Sequence, residues 1–553
     1  MIKPSQWKPS EGLVLEPNAL AAATEIERSL VLTAGPGAGK TEMLAQRAGF
    51  LLRTGTCRYP QRILAISFKV DASKNLKERV RRRCGPELAA RLDSYTFHGF
   101  AKRLIDRFRP VLTGDNALDA DYTVGDPRVH RRQIGFMDMV PLAIDILKQS
   151  PMARNAVRQT YGYVFLDEFQ DCTGFQYELI CAAFKGTSVK ITAVGDVKQS
   201  IMAWAGALDG VFQKFASDFS AISLNLYQNF RSLPRLRRMQ NAMVKVMDPA
   251  AAVPDEQISQ DAGTIEVLFY EDCEKEADSL ATTIRRWIND EEIPPSEIAV
   301  LVSRQVEHYA ERLMLALDRL GISYRNEVSL QDLSTEPLAR LIVDFLLVVV
   351  GEHEPDAYRR LMDVLLDADE DEVEAYSSRL RWRRFIDDAR LRLRQESPQL
   401  VNAGALEGLA TGFLRSVGVQ VLRSLSADYE QGGRLDEVAL QTFQRIGELL
   451  RDGQGVVLAL SRFSEDGNVR LMTIHKSKGL EFSSVVVLGV EKETFWGNPV
   501  EERSTFFVGV SRAKQRLVLS VVGARERPSG MKKRWNVVRT PHKEFLGYVA
   551  AAK

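Results

Sequence analysis

A chain of 553 residues is too long for one hydrophobic core and points to roughly three or four domains. Its 74 lysines and arginines nearly balance 73 acidic residues, so any nucleic-acid surface is a local stripe, not a field over the whole molecule. Five scattered cysteines, Cys57, Cys84, Cys172, Cys181 and Cys273, form no CxxC pair, which argues against a zinc ribbon, an iron–sulfur cluster or a disulfide framework and fits a reducing, cytoplasmic setting.

The opening residues "MIKPSQWKPSEG" contain no apolar stretch of the signal-peptide kind. "RSLVLTAGPGAGKTEMLAQRAGFLL" then reads as strand, glycine turn and helix. Its turn, Ala34, Gly35, Pro36, Gly37, Ala38, Gly39, Lys40 and Thr41, matches the phosphate-loop pattern, with Ala34 where the strict pattern has glycine. The glycines let backbone N–H groups turn toward phosphate oxygens. Lys40 is placed to reach the β- and γ-phosphates and Thr41 to ligate Mg²⁺, with the helix adding its positive end. "QRILAISF" is a second strand, and "KERVRRR" after it reads as a solvated helix face.

"YGYVFLDEFQD" and "KITAVGDVKQS" are further strands ending in polar residues. Asp167 closes the first of these and is assigned to Mg²⁺. Glu168 beside it is assigned to orient and deprotonate the attacking water. Gln199 follows the second strand, where it can sense the γ-phosphate. "TIEVLFY", "EIAVLVSR", "VRLMTIH", "SSVVVLGV" and "RLVLSVV" form a second strand series. Between its second and third members lies a helical stretch whose longest apolar run, "IVDFLLVVVG", is interrupted by Asp344 and reads as a core helix, too short for a bilayer. Arg231 in "LYQNFRS" and Arg512 in "FVGVSRAKQ" lie in or beside this series. The second stretch reads as a buried strand passing into a helix. Charge developing on a transferred phosphoryl needs cations beyond the phosphate loop, so Arg512 is expected to act as an arginine finger across a cleft between the two α/β domains.

Eight blocks in this order resemble superfamily 1 DNA helicases of the UvrD/Rep type: "AGPGAGKT", "ILAISFKVDASKNLKERV", "SYTFHGFAKRLI", "VFLDEFQD", "AVGDVKQSIMAWAGA", "LYQNFRS", "MTIHKSKGLEF" and "FVGVSRAKQ". The resemblance implies an α/β fold of two RecA-like parallel-sheet motor domains with a mostly helical insertion, use of ATP and Mg²⁺, and movement 3′ to 5′ on single-stranded or tailed DNA. The domains are placed at 1–105 and 137–224, with a reduced insertion at 106–136, then 225–329 and 456–553, with the helical insertion at 330–455. Lys40, Asp167, Glu168, Gln199, Arg231 and Arg512 fall on the family's catalytic positions. Gly479 and Glu481 match the block that contacts nucleotide, Glu481 as the ribose contact. Phe68, Lys69, Thr96, Phe97, His98, Trp204, Thr473, His475 and Lys476 fall on positions that contact single-stranded DNA. Ala19, Met202 and Ala205 stand where relatives commonly have glutamine, tyrosine and arginine. The compact insertions also resemble the GajB-like helicase subunits of Gabija anti-phage systems, which implies a separate nuclease as partner. No membrane partner is expected.

Overall fold

The structure, a computed structural model, describes residues 2–68, 70–125, 127–201, 206–326, 333, 336–351, 354–365, 372–395, 402–425, 429, 433–451, 455–463, 468–528, 531 and 535–552. Lys69, Met202, Trp204 and Ala205 lie outside these. The chain forms two compact units. One comprises Met1–Ile284, Glu297–Ala316 and Leu471–Lys553, the other Arg285–Ser296 and Leu317–Arg470.

In chain order the strands are β1 (Leu30–Ala34), β2 (Arg62–Ser67), β3 (Leu92–Thr96), β4 (Leu118–Val124), β5 (Arg131–Ile134), β6 (Tyr161–Leu166), β7 (Lys190–Gly195), β8 (Ile222–Leu226), β9 (Thr264–Asp272), β10 (Ile298–Val302), β11 (Tyr324–Asn326), β12 (Val469–Thr473), β13 (Phe482–Leu488) and β14 (Ala513–Ala524). The first unit holds a six-stranded sheet of order β3-β2-β6-β7-β1-β8, every pair parallel. Its second sheet runs β12-β10-β13-β14-β9, with the pairs from β10 to β9 parallel. Strands buried on both faces need apolar residues on each, and β2 shows the division. Leu64 and Ile66 pack with Phe97 and Phe100 on one face, while Ile63 and Ala65 join Leu30, Leu32 and Phe165 on the other. Such parallel sheets present their loops at the carboxyl ends, where a ligand site is built. β4 and β5 form a separate two-stranded ribbon.

Four details differ from the sequence reading. First, "FVGVSRAKQ" is a helix passing into a strand. Pro499–Val510 is helical and β14 starts at Ala513, which places Arg512 in the turn between them. Phe506, Phe507, Val508 and Val510 are all buried, so the second half of the helix carries no polar stripe to mark its period. Second, β8 runs to Leu226 beside β1, beyond the expected boundary at 224. Third, the helix Phe97–Phe108 spans the expected boundary at 106. Fourth, the helical body takes in Leu317–Arg470, wider than 330–455. It is bound together at its ends, where the Val469 N–H donates to the Ser323 carbonyl at 3.0 Å.

Within that body the helix Pro337–Val350 is buried nearly all round. Phe345 stacks on Phe413 with centroids 4.1 Å apart, and the buried Asp344 is held by Arg360 at 2.7 Å. No helix among the described residues is long and apolar enough to cross a membrane.

Candidate functional site

The order β6-β7-β1-β8 sets four loops side by side at the carboxyl edge of the first sheet. After β1, Gly37 and Gly39 adopt φ of +69° and +74°, the left-handed region that glycine enters cheaply. The helix Lys40–Arg53 follows at once, and the Lys40 ammonium folds back to the Ala34 carbonyl at 3.3 Å. The loop after β8 is fastened to this turn, since the Phe230 N–H donates to the Gly37 carbonyl at 2.9 Å. A Cβ on Gly37 would stand 2.4 Å from Asn229 Oδ1 and 2.5 Å from Arg231 Cβ.

After β6, the buried Asp167 accepts the Glu168 N–H at 2.9 Å. Glu168 sits at φ +51°, an uncommon conformation for a residue with a side chain and one that clusters at functional sites. Gln170 donates to Glu168 Oε2 at 2.6 Å and accepts the Asp196 N–H at 3.0 Å. A Cβ on Gly195 would lie 2.1 Å from Gln170 Oε1, which accounts for the glycine of "AVGD". Burial raises the Asp167 carboxyl, and the adjacent charge of Glu168 raises it further. Burial also acts upward on Glu168, but Lys40, Lys478, the Gln170 hydrogen bond and Arg512 outweigh it and hold this carboxyl low. Glu168 is therefore the ionised partner, and Asp167 is a buried acid whose charged form calls for a nearby cation. With the Thr41 hydroxyl it supplies the oxygen donors that Mg²⁺ takes, so the residues fit that ion.

The second sheet adds cations to the same place. Arg512 is 1% exposed. Its Nη2 donates to Gln199 Oε1 at 2.7 Å and to Ser511 Oγ at 2.8 Å, its Nε to the Val508 carbonyl at 2.9 Å, and its Nη1 to the Leu480 carbonyl at 3.2 Å. Burial and then the neighbouring Arg231 pull its pKa down to about 9. Gln199 in turn donates to Asp196 Oδ2 at 2.8 Å. Lys478 Nζ donates to Asp171 Oδ2 at 2.6 Å and to the Gln199 carbonyl at 2.5 Å, with both side chains buried. Arg231 bridges Glu481 at 2.7 Å and the Ser511 carbonyl at 3.2 Å. Glu481 is thus an arginine partner here, and Gly479 in the same segment has φ +87°.

The residues expected to face DNA divide into two groups. Ser67 pairs with Thr96, so Phe68 and the segment from Thr96 leave the carboxyl ends of adjacent strands. Phe97 is corrected to a core residue. It is 2% exposed, meets Phe68 edge-on at 5.6 Å and offers no face to a base. Thr96 caps the following helix, accepting the Gly99 N–H at 3.0 Å. His98 stacks on Phe136 at 3.9 Å, and burial lowers its pKa to about 4, so it is neutral at pH 7. Thr473, His475 and Lys476 are half-buried in and after β12, where Thr473 Oγ1 accepts the Lys476 N–H at 3.3 Å.

The UvrD/REP helicase N-terminal domain matches residues 15–124 and 114–220, and the UvrD-like helicase C-terminal domain matches residues 415–523. Together the two patterns cover more than half of the chain. The chain belongs to the UvrD-like DNA helicases. It is 23% identical to DNA helicase II of Escherichia coli (strain K12), over 90% of this chain and 83% of the relative. It is 22% identical to the ATP-dependent DNA helicase PcrA of Leuconostoc citreum, over 90% of this chain and 80% of the relative. It is 24% identical to the ATP-dependent DNA helicase UvrD1 of Mycobacterium leprae, over 92% and 82%.

In this UvrD-like helicase several site residues escaped the sequence reading. Lys478, Asp171 and Gln170 stand inside the quoted blocks, but their roles depend on partners brought in by the fold. Phe230 is 66% exposed beside Gly39, and Phe136 is 51% exposed on His98. An aromatic flanking a motif arginine was the signal available for Phe230. At the position of relatives' glutamine, Ala19 is buried. Two neighbours at the start of its helix, Pro17–Thr24, reach β8 and the loop after it: Glu16, just before the helix, accepts the N–H groups of Tyr227 and Gln228 at 3.1 Å, and Asn18 donates to the Asn225 carbonyl at 2.7 Å.

Proposed function

We propose that this helicase hydrolyses ATP at the edge shared by its two sheets and uses the cycle to move 3′ to 5′ along single-stranded DNA. The observation that carries the reading is the meeting of groups from both sheets beside the phosphate loop, where Arg512 donates to Gln199 Oε1 at 2.7 Å and Lys478 to Asp171 Oδ2 at 2.6 Å. The glycine turn and the helix Lys40–Arg53 bind the phosphates, with Lys40 neutralising their charge. Thr41 and Asp167 hold Mg²⁺, which when bound offsets charge on the phosphate oxygens. Glu168, oriented by Gln170, takes the proton of the attacking water. Arg512 and Arg231 turn toward the charge that develops on the transferred phosphoryl. Gln199, which joins Arg512 to Asp196, links the state of that charge to both sheets. Loss of the γ-phosphate removes the anion these cations share, and the two RecA-like halves part. Phe68, Thr96, His98, Thr473, His475 and Lys476 carry the strand.

The test is phosphate release by the purified chain with and without single-stranded DNA. Lys40→Ala and Glu168→Gln are each expected to lower turnover by about 10²–10⁴-fold. Wild-type turnover in both would end the assignment. Unwinding of a 3′-tailed but not a 5′-tailed duplex supports the stated direction. DNA-stimulated hydrolysis without any unwinding assigns the chain instead to a regulatory role beside a nuclease.

A further inference from the structure

Trp496 is 62% exposed, although a large aromatic surface gains most by burial. It does not hang on a loose loop. Phe495 before it is buried among rings, 5.8 Å from Phe506 and 5.2 Å from Phe545. Asn498 after it caps the helix Pro499–Val510, accepting the Val500 N–H at 2.9 Å. Gly497 between them has φ +137°, which only glycine adopts freely. The ring itself is backed by Arg304, whose guanidinium lies 4.4 Å from its centroid and donates to the Trp496 carbonyl at 2.8 Å. Arg304 is fixed in turn by the mostly buried Glu502. The fold therefore supports one side of an indole rigidly and leaves most of it in water.

Its place matters as much. Arg304 follows the carboxyl end of β10, and the Ile474 N–H donates to the Val302 carbonyl at 2.8 Å. The loop that carries His475 and Lys476 therefore leaves the same edge of the second sheet beside it. An exposed ring over a cation, next to such a segment, suits a ligand with a flat π-face and a phosphate backbone. We propose that Trp496, held by Arg304, is a stacking platform for a base of single-stranded DNA. The proposal rests on the single-strand reading above and adds a contact on the second sheet. Stacking is tolerant of sequence, as a translocating protein requires, because every base presents a π-face.

The experiment measures fluorescence anisotropy of a labelled oligothymidylate of about 15 nucleotides with the full chain, without nucleotide, across a range of salt. Trp496→Ala is expected to weaken binding by about 5- to 150-fold with an unchanged salt slope, because stacking rather than phosphate contact is lost. Trp496→Phe should retain most of the affinity. DNA should also quench tryptophan emission in the wild type, and the Trp496→Phe variant should lose that part of the quench. Equal melting temperatures establish that all three proteins are folded, which an exposed position favours. Wild-type binding matched within about twofold by Trp496→Ala overturns the platform while leaving the single-strand reading intact. Failure of the wild type itself to bind overturns both.

Discussion

Replacing Gly37 with alanine probes how tightly the phosphate loop and the segment after β8 fit together. The new Cβ would lie 2.4 Å from Asn229 Oδ1 and 2.5 Å from Arg231 Cβ, about 1 Å inside ordinary contact. Arg231 Cβ is fixed to the backbone and cannot rotate away, so residues 229–231 must retreat by a comparable distance. The retreat breaks the bond from Phe230 to Gly37, worth about 1 kcal/mol. The left-handed φ of +69° costs an alanine roughly 1–2 kcal/mol more, and the overlap itself about 1–3 kcal/mol. Arg231 would then stand about 1 Å from its working position, enough to lower turnover by about 10²-fold. Steady-state phosphate release under saturating DNA, together with a thermal melt, reads both effects. Gly35→Ala is the internal control, because its Cβ would meet nothing within 4 Å and its φ is ordinary. Gly37→Ala is expected to melt earlier than Gly35→Ala and to turn over far more slowly. A folded Gly37→Ala protein with wild-type melting and wild-type turnover would refute the fit described here.

Asp171→Asn removes the carboxylate that the buried Lys478 bonds at 2.6 Å, and urea unfolding should show a loss of about 3–5 kcal/mol. Combining Asp171→Leu with Lys478→Met removes both charges and should recover much of that loss. Arg512→Ala should lower kcat by about 10³–10⁵-fold and change KM for ATP less, because the guanidinium acts on charge that develops only during transfer. His98 has a folded pKa of about 4 against an ordinary 6.5, lowered by burial. The unfolded chain then takes up the proton first, so this contribution is intact above pH 6.5 and is lost as the pH falls toward 4. The melting temperature should fall across that window, and less steeply in His98→Gln. A wild-type melting temperature that is level from pH 6.5 to 4 would contradict the burial of this ring.

The nucleotide site was legible because its chemistry is local. A glycine turn after a strand, a carboxylate pair at a strand end and a glutamine at the next end each announce themselves within a few residues. What joins them is not local. Lys478 and Asp171 are ordinary charges in sequence and become a buried pair only when the two sheets meet. β3, "LDSYT", has a polar residue at most positions and escaped a reading based on apolar runs, although its backbone completes the sheet beside β2. Phe97 lay in a block tied to DNA, yet the helix it starts turns it inward while His98 stays half-exposed. The helix before Arg512 was misread for the opposite reason, since its second half, Ser504–Val510, is buried at every position. In each case the missing information was which neighbour a side chain meets.

The strand order of the second sheet has a consequence for how the protein is made. β9 lies at the sheet edge, and its one neighbour is β14, with Ile265 opposite Leu517. A ribosome delivers β9 long before the strand it needs. The first sheet, complete once β8 has emerged, can close while translation continues. β9 meanwhile keeps an unpaired backbone edge until the final segment arrives, and so do the flanks of β10 that await β12 and β13. The pace of synthesis through Leu317–Arg470 therefore sets how long these edges stay open to wrong partners.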